Sequence, residues 1–177
     1  PEFVKLTPIS QLLVDKRERE ELVTRFFAYL NSFDPKLSDG DGDIPNYKEE
    51  PRRFYFSFVK GENERISSEI GQTGVSPTIE AMKHEFETML AFVEKVSPHG
   101  FTKSKSGNQV PRVRFEAIAI GSALALRADP SIFNSVTDIT PLLDSKDFAI
   151  ATKSDAANVK SKLLGRMRLV RNWLLKK

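Results

Sequence analysis

The chain has 177 residues, of which 40% are hydrophobic and 29% charged, and its net charge is +3. That balance supports a packed core and excludes disorder of the whole chain, and no apolar run of about 18 residues exists to span a bilayer. There is no cysteine and there are only two histidines, His84 and His99, which removes disulfides, thiolate metal sites and cysteine nucleophiles and leaves little for a histidine-based centre.

The first predicted element is an amphipathic helix over Arg17 to Asn31, with Asp15 as its cap. Leu22, Phe26, Tyr29 and Leu30 share one face, Val23 and Phe27 widen it, and Glu18, Glu20 and Glu21 favour its positive end. Residues 34–50 (DPKLSDGDGDIPNYKEE) carry two prolines, two glycines and a set of aspartates and read as a loop. Asp39, Asp41, Asp43 and Glu50 sit at positions one, three, five and twelve of a calcium loop. Position six needs glycine and holds Ile44, so the segment reads as a solvated acidic loop and no metal site is expected.

From Arg52 the run RRFYFSFVK alternates like a strand. A helix with a wide apolar face is preferred, because its surroundings are helical; a minor strand near 52–59 is the other option. Ser76 and Pro77 open the next helix, striped by Ile79, Met82, Phe86, Met89, Leu90 and Val93. His84 lies beside that stripe with no second histidine one turn away, and His99 stands alone in a loop. The segment RVRFEAIAIGSALALRADP is apolar all round and reads as the central buried helix, Phe115 to Leu126, ended by Asp129-Pro130. The last helix, roughly Asp155 to Leu175, carries Val159, Leu163, Met167, Val170 and Leu174 as its stripe. The expected fold is therefore all-α, with about five to seven helices in one bundle-like domain over 1–177.

Charge is divided unevenly. Residues 151–177 carry eight cations against Asp155 alone, whereas the other 150 residues carry 19 cations and 23 anions. A basic end on an acidic body points either to an anionic partner such as DNA or to docking within the protein itself. Lys160, Lys162, Arg166 and Arg171 flank the last apolar stripe and are the expected contacts to DNA phosphate. No catalytic residue, cofactor or metal ligand is singled out: there is no phosphate-binding glycine loop and no distinguished carboxylate pair.

Three blocks resemble the helical segment of the GmrSD-type (ParB/sulfiredoxin-like nuclease) restriction family: LTPIS with DKREREELVTRFFAYLN (15–31), RFEAIAIGSALALRADP (114–130) and FAIATKSDAANVKSKLLGRMRLVRNWLL (148–175). They come in the family's order, whereas residues 32–113 diverge. The resemblance implies a cytoplasmic anti-phage or modification-dependent DNA restriction protein whose nucleotide-dependent catalysis resides in an N-terminal ParB-like domain. Such a domain, and the His-Asn-His motif of some members, are not in these residues, so no catalytic position carries over. The chain, which starts at Pro1, is read as a fragment of a longer protein. The expected role is a non-catalytic helical module with DNA and the parent's N-terminal domain as partners and no membrane partner. The alternative is a dimerisation or intramolecular docking scaffold without DNA contact.

Overall fold

The computed structural model describes residues 2–104, 106–134 and 138–176. Nine helices are found among them, and no strand beyond an isolated bridge between Asp34 and Asp43. They are α1 (Glu2–Leu6), α2 (Gln11–Asp15), α3 (Glu18–Ser32), α4 (Pro51–Thr73), α5 (Pro77–Val96), α6 (112–128), α7 (Thr140–Leu143), α8 (Lys146–Ala151) and α9 (Lys160–Leu174). Within α6 the pattern runs Arg112–Phe115, then a π-helical stretch Glu116–Ile120, then Gly121–Ala128. The count exceeds the expected five to seven because of four pieces of four to six residues, α1, α2, α7 and α8. Such pieces are too short to leave a periodic stripe in the sequence.

Local chemistry accounts for most boundaries. Asp15 closes α2 instead of capping α3, and Arg17 takes the turn in the left-handed region at φ 56°. The Arg52 to Val59 run is helical, as preferred; its half-buried residues Phe54, Tyr55 and Phe58 face α3 and the loop before α4. Gly74, at φ 75°, ends α4. Ser76 then caps α5, its Oγ accepting from the N–H of Ile79 at 3.2 Å. Ser76 Oγ and Thr78 Oγ1 both donate to Glu69 at 2.5 Å, which fixes the α4–α5 corner. The last helix starts at Lys160 and not near Asp155; residues 154–159 are turns.

The core is one connected cluster. Its centre is α6, where Phe115, Ala117, Ile118, Ala119 and Ile120 are all fully buried. Helices α3, α5 and α9 pack around it, and α9 comes closest. Gly121 explains that approach: a Cβ there would lie 2.6 Å from Val170 Cβ and 2.8 Å from the Met167 carbonyl. Gly121→Ala is therefore expected to destabilise by about 1–3 kcal/mol, overpacking outweighing the gain in helix propensity. Gly165 on α9 has open space at its Cβ position, so Gly165→Ala should stabilise by about 0.5–1 kcal/mol. Urea denaturation of the two variants checks the pair, and equal midpoints would contradict it.

Segment 34–50 is a loop, as expected, but not a free one. Phe33, Ile44 and Tyr47 are buried, and Tyr47 donates its hydroxyl to the Asn158 carbonyl at 2.7 Å. Asp34 and Asp43 exchange backbone hydrogen bonds of 2.7 and 2.9 Å. Gly42 lies directly over the Phe33 ring at φ 80°, where any Cβ would overlap it. Among the described residues no helix is long and apolar enough to cross a membrane.

Candidate functional site: an ion-paired centre beneath the last helix

The four cations expected to meet DNA do not form one outward surface. Arg166 is 2% exposed. Its Nε and Nη2 donate to Glu116 Oε2 at 2.9 and 2.5 Å, and Nη2 also donates to the Ala157 carbonyl at 2.8 Å. Arg171 is buried, donates from Nη1 to the Asp41 carbonyl at 3.0 Å and lies over the Phe33 ring. Lys160 pairs with Asp43 Oδ2 at 2.8 Å, and its backbone N–H donates to Glu49 Oε1 at 2.8 Å. Arg168, between them, donates to the Gly42 carbonyl. Lys162 is exposed and makes no ion pair among the described residues. Lys162 and Arg166, four residues apart, thus differ in role: one is exposed and the other buried in an ion pair. Arg166 lies three residues after Leu163 and four before Val170, on the apolar stripe itself. The basic helix meets the acidic loop of its own chain.

Burial has consequences for these charges. Desolvation pulls the Arg171 guanidinium below the ordinary arginine value, with Asp41 acting against it. Asp43 resists protonation: its burial is outweighed by the hydrogen bonds from Lys160 and from the Ile44 N–H.

Glu116 organises the centre. It is 1% exposed, in the π-helical stretch of α6. Its Oε1 accepts from Arg25 Nη1 at 2.7 Å while Oε2 holds Arg166. Arg25 also donates from Nε and Nη2 to Glu21 Oε1, at 2.9 and 2.8 Å. Arg112 then bridges Glu21 at 2.7 Å and grips Glu18 with two bonds of 2.6 and 2.7 Å. Three arginines and three glutamates so alternate from the start of α6, through α3, to α9. The geometry is that of charge-assisted, partly bidentate pairs. The Arg112 guanidinium holds the Glu18 carboxyl below the usual range. Burial would lower the Arg25 guanidinium, but the Glu116 charge and the hydrogen bonds to Glu21 and Glu116 outweigh it and hold Arg25 above its ordinary value. Burial pushes the Tyr29 and Tyr55 hydroxyls up; they share a 2.5 Å hydrogen bond, and Tyr55 lies beneath Arg25.

This arrangement joins elements and leaves no carboxylate of the ladder unpaired. Sequence reasoning missed Arg25 and Glu116. A usable signal existed: Glu116 is a lone charge in an otherwise apolar stretch, and such a charge needs a partner. The two histidines are exposed.

Acid should loosen the ladder. A carboxyl whose folded value is depressed adds stability above its unfolded value and loses it as pH falls towards the folded one. Glu18, depressed from 4.5 by Arg112, and Asp43, depressed from 3.8, both act this way. The melting temperature should stay level from pH 7 to about 5 and fall below about 4.5. A melting temperature that rises on acidification past 4.5 would contradict this.

No family model, curated protein or solved structure matches the chain.

Proposed function

We propose that the chain is a non-catalytic helical module of a GmrSD-type DNA restriction or anti-phage protein, acting as a docking scaffold for a ParB-like nucleotide-dependent nuclease domain. One observation carries the scaffold form: the cations of α9 are directed into their own chain, Arg166 onto Glu116 and Lys160 onto Asp43. The three family-like blocks supply α3, most of α6 and α8–α9, of which α3, α6 and α9 meet at Glu116, whereas the divergent 32–113 region supplies α4, α5 and the loops before and after them. The same blocks would present a fixed outer surface to the nuclease domain.

The competing reading is direct phosphate contact by the last helix. Of its four residues only Lys162 is exposed and without an ion pair among the described residues. Fluorescence anisotropy with duplex DNA, repeated at two salt concentrations, separates the readings. The scaffold form expects Lys162→Ala to change affinity by less than about twofold, as one exposed lysine among many would. A tenfold loss in a folded Lys162→Ala protein, with a shallower salt dependence, would restore the DNA-contact form.

A further inference from the structure

A second place in the fold holds a buried cation that makes no ion pair among the described residues. Arg114, in the first turn of α6, is 8% exposed. Its Nε donates to the Thr102 carbonyl at 3.0 Å, and its guanidinium lies 5.2 Å from the centre of the Phe148 ring. Those two contacts fix its direction. Neither terminal nitrogen makes a hydrogen bond, and the side chain makes no ion pair, among the described residues. Desolvation pulls this guanidinium below its ordinary value, with the charge of Asp144 acting weakly the other way.

A buried arginine is normally matched by a carboxylate, as Arg166 is by Glu116. Arg114 instead lines an open groove of about 520 Å³. The groove is rimmed by Lys103, Asp144, Thr152, Lys153 and Ser154. Lys103 and Lys153 are exposed and make no ion pair among the described residues. With Asp144 and Asp155 counted, three cations face two anions. The fixed, delocalised fork of an arginine, two exposed ammonium groups and the Ser154 hydroxyl suit one ligand chemistry: an oxyanion with several acceptor oxygens. The volume exceeds what a single ion fills and lies within the range of small-molecule sites.

We propose that this groove is a phosphate-binding site in which Arg114 holds the phosphate group and Lys103 and Lys153 close over it. The site does not rest on the restriction-family reading. It lies between the start of α6 and α8, and its cations belong to neither the ladder nor the α9 contacts. The phosphate could be that of a small molecule or of a nucleic-acid backbone.

Calorimetric titration of the full chain with inorganic phosphate, at an ionic strength held constant with chloride, tests the site. Saturable binding in the millimolar range or tighter is expected, with the Arg114 Nε–H resonance shifting in step. Arg114→Gln should weaken binding at least tenfold. Lys103→Ala/Lys153→Ala removes only exposed side chains, so it should fold, and it should weaken binding at least threefold. Absence of saturable binding by the unaltered chain, or binding unchanged in the folded double variant, would overturn the proposal. Given binding, competition by duplex DNA assigns the phosphate to a nucleic-acid backbone, and competition by adenosine monophosphate alone assigns it to a small molecule.

Discussion

Glu116→Ala is expected to lower the unfolding free energy by about 3–5 kcal/mol, the range found when one partner is removed from a buried ion pair. The carboxylate sits between two guanidinium groups, one 2% exposed and the other 8%. Without it, Arg166 retains only its bond to the Ala157 carbonyl, and its Nη1 is already buried with no partner. Arg25 keeps Glu21 but loses the inner half of its contacts. Two largely buried cations are then left without the carboxylate between them. At about 2–4 °C per kcal/mol for a chain of this size, the melting temperature should fall by roughly 6–20 °C. Glu116→Gln, which keeps the shape and one acceptor, should fall between the unaltered chain and Glu116→Ala. A loss under about 1 kcal/mol for Glu116→Ala would mean that the arginines find other partners at little cost.

The pair can also be removed as a unit. Glu116→Leu with Arg166→Met replaces two buried charges by apolar side chains of related length. Desolvation of the ions then no longer opposes folding, and the double variant should recover much of what Glu116→Leu alone loses. Recovery would show that the ladder specifies which helices meet more than it adds net stability.

Legibility in the sequence followed the physics of each element. Helices α3, α5 and α9 announce themselves because their stripes repeat every three to four residues, as with Met82, Phe86, Met89 and Val93. Helix α6 is legible from its apolar content alone. The burial of Phe33, Ile44 and Tyr47 was not legible, because anchors in a loop follow no period and only the fold brings them to α9. The loop's aspartates read as solvated because local spacing cannot show that Lys160 and Arg168 arrive from more than 100 residues away. Arg166 was misplaced for a related reason. Arginine on an apolar stripe is indistinguishable, by spacing alone, from arginine on its edge; its burial depends on Glu116, 50 residues earlier. Long-range charge pairing is the part of this site that one-dimensional periodicity does not encode.

Phe26→Ala is the other substitution expected to act strongly, through packing and not charge. Phe26 is fully buried on α3. Its ring meets Phe27 edge-on at 4.9 Å and Phe86 of α5 edge-on at 5.1 Å, and Phe86 in turn contacts Phe3 of α1 at 5.1 Å. Phe26 therefore ties α3 to α5, and Phe86 carries the contact on to α1. Truncating it removes the transfer free energy of the ring, leaves a cavity that rigid helices cannot close, and ends two edge-to-face contacts; together these amount to about 3–5 kcal/mol. Phe26→Leu fills most of the volume and should cost much less. Phe26 follows Arg25 of the ladder directly in sequence, about 100° round the helix, so the sum of the losses from Phe26→Ala and Glu116→Ala, compared with the loss in the double variant, measures how far the two clusters are coupled. Urea denaturation of the two single variants and the double variant tests both size and additivity. Strong coupling between them would show that the aromatic cluster and the ladder form one cooperative unit.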